Sequence, residues 1–95
     1  MTNFNRNIAD LGTVKQYTTV EAEYKVVSDR IVKSVSPSCG CTIAFFTDKS
    51  VTLKYKTGSV PAHLGSHYLS TKFAVVKFSD GTMEKVYLNV IITKV

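Results

Sequence analysis

The residues able to do chemistry are few. Cys39 and Cys41, within Ser38-Cys39-Gly40-Cys41-Thr42, are the only cysteines, and His63 and His67 are the only histidines. Two thiols and two imidazoles are zinc-ligand types, and a histidine spacing of four falls within the range such sites use. That spacing brings two rings to one side only on a helix, whereas the sequence around His63 reads as loop, and Cys-x-Cys is narrower than the usual thiol pair. No metal site is expected.

The same two thiols could form a redox pair, but a disulfide within Cys-x-Cys closes a small, strained ring that is easily reduced. Free thiols are expected, one facing the core as a small apolar group and one bordering a turn. A cysteine nucleophile needs a base and a group to orient that base, and the spacing supplies neither. The acids Asp10, Glu21, Glu23, Asp29, Asp48, Asp80 and Glu84 fall in turns or at outward strand positions, so no buried carboxylate pair is expected for acid–base work. There is no phosphate-cradling glycine motif. These readings together predict a protein that is not an enzyme and holds no cofactor.

The elements that must position these residues read as strands. Val20, Ala22, Tyr24 and Val26 alternate with Thr19, Glu21, Glu23 and Lys25, which predicts a strand with one wet side. Alternation returns at Ile31-Val32-Lys33-Ser34-Val35 and is sharpest where Val51, Leu53 and Tyr55 oppose Thr52, Lys54 and Lys56. Residues 7–14 read as a short edge strand bent at Gly12. Cys41-Thr42-Ile43-Ala44-Phe45-Phe46 is apolar on both faces, as expected of a strand crossing the centre of a sandwich or passing under a partner. The Pro and Gly of the Cys-Gly-Cys stretch predict a turn between two strands. Residues 72–78 and 83–93 predict a hairpin closed by Ser79-Asp80-Gly81-Thr82 with a type I′ turn at Asp-Gly. The inward row of its second arm is Val86, Leu88, Val90 and Ile92. About seven strands with no helix-period segment predict an all-β, immunoglobulin-like antiparallel sandwich, with residues 1–95 as a single domain.

The chain is 44% hydrophobic and 20% charged, too apolar for a disordered protein. Its net charge of +5 could meet an acidic surface, but the lysines are spread through the strands and never form a run. A dedicated nucleic-acid site is therefore not the leading expectation. Most of Phe45, Phe46, Tyr55, Phe73, Phe78 and Tyr87 are expected in the core; Tyr17, Tyr68 and Tyr87 are the candidates for exposure. No apolar stretch reaches the ~20 residues of a membrane span, and residues 1–7 lack the apolar core of an export signal, which suggests a protein kept inside a cell or released by lysis.

The succession Leu11-Gly12-Thr13-Val14, an alternating strand, Ile31-Val32-Lys33-Ser34-Val35-Ser36-Pro37-Ser38-Cys39-Gly40-Cys41-Thr42, the strand at residues 51–55 and a final hairpin resembles a bacterial family. That family is the Ser-Cys-Gly-Cys-Thr domain family of unknown function, itself similar to the ASH/Hydin and PapD-like immunoglobulin-like sandwiches. The resemblance spans nearly the whole chain, and its specific motif is Ser38 to Thr42. It implies the sandwich fold and no enzyme activity. Two departures are that Thr47-Asp48-Lys49-Ser50 replaces the family's Pro-Gly turn, and that the export signal of many members is missing.

The expected role is a non-enzymatic protein-interaction module. It would bind protein subunits of a larger assembly, such as the capsid protein of a bacteriophage virion that it decorates or cements, with self-association through sheet edges a further possibility. Its location would be the virion, or the host cytoplasm before assembly; the alternative is an interaction domain of the bacterial envelope. The expected contact surface combines the loop at residues 57–66 with the N-terminal segment, through Asn3, Phe4, Arg6, Gly58, Val60, His63 and Tyr68.

Overall fold

The computed structural model describes residues 3–38 and 40–94. It contains β1 (Ile8–Lys15), β2 (Thr19–Lys25), β3 (Val32–Pro37), β4 (Thr42–Thr47), β5 (Ser50–Lys56), β6 (His67–Phe78) and β7 (Met83–Thr93), with one 3-10 turn at Ala62–Leu64. A sheet of order β1-β7-β6-β3 packs on a sheet of order β2-β5-β4. The second, third, fourth and fifth strands thus divide between the sheets as B, C, D and E do in an immunoglobulin sandwich, and β6 and β7 take the places of F and G. The antiparallel expectation fails at one pair. β1 runs parallel to β7, with its register broken between Asp10 and Thr13, where Gly12 adopts φ +74°.

Alternation builds the core. Ala22 and Tyr24 on β2, Val51, Leu53 and Tyr55 on β5, and Val86, Leu88, Val90 and Ile92 on β7 are all buried, joined by Ala74, Val76 and Phe78 from β6. Burying a side chain of this size is worth about 1.5–3 kcal/mol, so the facing rows are the main stabilising element. Tyr24 adds a directional tie between the sheets: its hydroxyl donates to the Tyr87 carbonyl at 2.6 Å. Burial pushes that phenol up to about 12, with the Arg6 cation pulling the other way.

The β6–β7 hairpin is legible in the sequence, but its turn differs from the expectation. Gly81 N–H donates to Phe78 O at 3.0 Å and Phe78 N–H to Thr82 O at 2.9 Å, and of Asp80 and Gly81 only the glycine has positive φ (+89°). A type I′ turn needs positive φ at both, so this is the three-residue connection in which a glycine follows a type I turn. The Asp80 side chain holds it: Oδ1 accepts from the Thr82 hydroxyl (2.6 Å) and amide (3.0 Å), and Oδ2 from Arg30 Nε (2.9 Å). Those bonds, from Thr82 first and Arg30 second, hold the carboxyl well below its ordinary range.

β4 is a second correction. It pairs with β5 alone, in unbroken register from Thr42↔Tyr55 to Thr47↔Ser50, and is an edge strand. Both its faces are apolar, yet only the Thr42 and Ala44 side is covered by the core. Ile43 and Phe45 point outward and are 56% and 52% exposed.

Candidate protein-binding surfaces

The outer face of the four-stranded sheet is the most distinctive surface. Period two sends Leu69, Phe73 and Val75 of β6 away from the buried row, and likewise Met83, Tyr87 and Ile91 of β7. The register sets Leu69 opposite Ile91 and Phe73 opposite Tyr87, and places exposed Ile8 of β1 on the far side of Tyr87. The Phe73 and Tyr87 rings lie 6.0 Å apart at 42°, within the range of favourable aromatic pairs. Lys85 Nζ caps the Phe73 ring at 5.1 Å. Beside them, Val75, Met83, Glu84 and Lys85 line a groove of about 400 Å³. Thr71 and Asn89, hydrogen-bonded to each other at 2.9 Å, interrupt the apolar area between its two ends. An apolar centre crossed by aromatics and bordered by cations is the composition of a docking face.

The second exposed apolar area is the β4 edge. Lys54 of β5 lies 5.5 Å from the Phe45 ring and forms a solvent-exposed ion pair with Glu21 at 3.7 Å. Most of the six aromatics expected in the core do not reach it. Tyr55 and Phe78 are buried, Phe45 and Phe46 are exposed, and Phe73 and Tyr87 are half-buried on the outer face. Strand parity explains Phe45, Phe73 and Tyr87, each next to an inward Ala44, Ala74 or Val86, whereas Phe46 lies opposite buried Val51 on the inward side and is exposed near the end of an edge strand.

The N-terminal segment is part of the fold rather than a free arm. Phe4, 2% exposed, packs on Phe78 with ring centroids 5.8 Å apart and forms a bridge with Val26. Asn3 and Asn7 both donate side-chain hydrogen bonds to the Glu84 carboxylate, at 2.9 and 2.6 Å, so that acid is half-buried rather than solvated. Arg6 donates to the Glu23 carbonyl and lies 5.7 Å from the Tyr24 ring. A large apolar ring next to a strand end gains more by entering the core than by waiting for a partner. Asn3 and Phe4 are thus corrected from contact residues to structural ones; Arg6 is exposed, with its head committed to the same attachment.

The loop at residues 57–66 is also anchored. Thr57 is buried and its hydroxyl accepts from Thr18 N–H at 2.8 Å. Val60 is 5% exposed and its amide donates to Gln16 Oε1 at 3.2 Å. Val60 therefore belongs to the core, and only Gly58 and His63 of the proposed loop contacts are exposed. Tyr68 packs inward against the core, beside Tyr55 and Ser70. Burial, reinforced by Tyr55, raises its phenol. The structure thus does not gather Asn3, Phe4, Arg6, Gly58, Val60, His63 and Tyr68 into one surface.

The Ser38–Thr42 motif makes the turn from β3 in one sheet to β4 in the other. Ser38 is clamped to β6, its amide donating to Phe73 O at 2.9 Å, while Thr42 is buried. Gly40 and Cys41 are exposed, and Cys39 lies outside the described residues. Cys41 is disulfide-bonded, which overturns the expectation of free thiols. His67 Nδ1 lies 3.2 Å from the Ser66 hydroxyl. Among the described residues no group of three His, Cys, Asp or Glu side chains is placed to hold a metal ion.

The outer-face residues Ile8, Leu69, Met83 and Ile91 escaped the sequence reading. Their signal was present at Leu69, Thr71, Phe73 and Val75, a second alternating row once β6 is extended back to His67. No protein-family model matches this chain, and no curated protein does.

Proposed function

We propose that this protein is a non-enzymatic binding module that docks on protein subunits of a larger assembly through the outer face of its four-stranded sheet. The observation that carries this reading is the uncovered Phe73–Tyr87 pair, flanked by Ile8, Leu69, Ile91 and Met83. Rigid aromatics on a flat sheet supply contact area at small entropic cost, and such residues dominate binding energy where partners meet. In its most concrete form the assembly is a bacteriophage capsid that the protein decorates or cements; the family resemblance points instead to the bacterial envelope. Mass spectrometry of particles purified from the source tests the first form. The wild type is expected in them at a fixed copy number, and the Phe73→Ser/Tyr87→Ser double variant is expected to be lost while keeping its folded circular-dichroism spectrum. Absence of the wild type from particles overturns the capsid form, and retention of the double variant overturns the docking face.

A second reading is favoured by Lys85 over the Phe73 ring, with Lys77 on the same strand face: paired aromatics bordered by lysines also suit stacked bases of a single strand. It predicts affinity for oligonucleotides that falls steeply with salt, whereas the protein-docking reading predicts none.

A further inference from the structure

Among the described residues Tyr17 is the one non-glycine with positive φ (61°), and its ring is 66% exposed. A left-handed backbone is unfavourable for a bulky L-residue and freely adopted by glycine. The turn from β1 to β2 therefore keeps a tyrosine against the preference of its own backbone, and the ring gains no place in the core. Neighbours on both sides fix this conformation. Gln16 N–H donates to Thr93 O at 2.8 Å, and its side chain accepts from Val60 N–H. Thr18 N–H donates to Thr57 Oγ1 and Thr18 O accepts from Thr57 N–H, both at 2.8 Å. Backbone strain held in this way collects at binding sites.

The same end of the sandwich is cationic. Lys15 closes β1 opposite Thr93, Lys56 closes β5 opposite Thr19, and the Lys94 amide donates to Ser66 O at the end of β7. All three side chains are exposed, and among the described residues none is in an ion pair. No acidic side chain among the described residues shares this end. Asp10 lies further down β1, opposite Asn89, and Glu21 is ion-paired with Lys54. The other acids lie nearer the opposite end, at Glu23, Asp29, Asp48, Asp80 and Glu84.

We infer that this end is a second binding site, which takes an acidic protein segment: carboxylates beside Lys15, Lys56 and Lys94, and an apolar or aromatic side chain on the Tyr17 ring. Tyrosine gives a large contact area with few rotors to immobilise, and cations without acidic neighbours steer a negative partner toward it. Geometry favours a polypeptide over a nucleic acid. Lys15 follows inward Val14 and stands on the outer face of the four-stranded sheet; Lys56 follows buried Tyr55 and stands on the outer face of the other sheet. The cations thus surround the ring instead of lining one groove. A single strand of nucleic acid is held by a continuous basic groove and successive aromatic platforms, whereas Tyr17 is the one exposed ring at this end among the described residues. The site does not rest on the Phe73–Tyr87 docking face.

Titration of the isotope-labelled protein, followed by NMR, tests this with two probes: a random copolymer of glutamate and tyrosine, and an oligothymidylate. The copolymer is expected to shift the amides of Gln16, Tyr17, Thr18 and Lys94, more weakly as salt rises, and equally in the Phe73→Ser/Tyr87→Ser variant. Tyr17→Gly is expected to weaken copolymer binding at least about tenfold and, with the strained backbone relieved, to raise the urea midpoint. Lys15→Glu/Lys56→Glu should weaken binding by a similar factor with an unchanged circular-dichroism spectrum. No shift with the copolymer, shifts confined to the amides around Phe73 and Tyr87, or tighter binding of the oligothymidylate at this end would each overturn the inference. So would a Tyr17→Gly variant that binds like the wild type. A Tyr17→Gly variant less stable than the wild type would mean that the ring serves the fold, and would equally overturn it.

Discussion

Removing one oxygen atom, by Tyr24→Phe, tests how the two sheets are tied together. The hydroxyl donates to the Tyr87 carbonyl across the sandwich, from a side chain with no exposed surface. Losing that bond costs about 1 kcal/mol near neutral pH. The same burial makes the phenol a pH sensor. Its folded value is raised, from an ordinary 10.0 to about 12, so the folded state holds the proton more tightly than the unfolded chain does. The stability it contributes is fully present below about pH 10 and is lost as pH rises toward about 12, amounting to about 2–3 kcal/mol at the upper end. Phenylalanine has no proton to lose. Urea denaturation of both proteins between neutral pH and about pH 12 should therefore show the wild type more stable at first, the two equal near about pH 11, and the variant more stable beyond it. Lysine titration is common to both chains and cancels in the difference. A stability difference that stays constant across this range would refute the argument that burial of this hydroxyl governs its protonation.

Phe4→Ala should cost about 3–5 kcal/mol, a large part of the total stability of a domain this size. It should also speed hydrogen exchange at the Val27 amide, which donates to Asn3 O. A variant within about 1 kcal/mol of wild type would mean that the N-terminal segment is not part of the core. Asp80→Asn should lower the thermal midpoint at neutral pH by weakening the Thr82 and Arg30 bonds. Because the carboxyl is held below its ordinary value, its contribution is present above about pH 4 and fades as pH falls further, so the two melting temperatures should converge in acid.

The exposed apolar surfaces are less legible in the sequence than the core. Phe4 and Val60 sit in segments without period, and local sequence offers no means of telling an apolar residue that returns to the core from one that waits for a partner. Aromatic character favours the core for Phe73, although the parity of Ala74 requires the opposite; Tyr87, a candidate for exposure beside inward Val86, does lie on the outer face. For β4, apolar character on both faces fits equally a central strand and an uncovered edge. The distinction rests on which strand lies beside it, a fact not contained in six residues.

The sequence by itself determined which side chains face inward on β2, β5 and β7, because the two-residue repeat of an extended backbone is a local property that alternating valine, leucine and tyrosine express directly. Tertiary structure alone decided the parallel placement of β1 beside β7, the return of Phe4 to the core, and the exposure of Ile43 and Phe45 at an edge. Each of these depends on pairing between residues far apart in the chain, where the free energy of contact is shared by both partners and is written in neither alone.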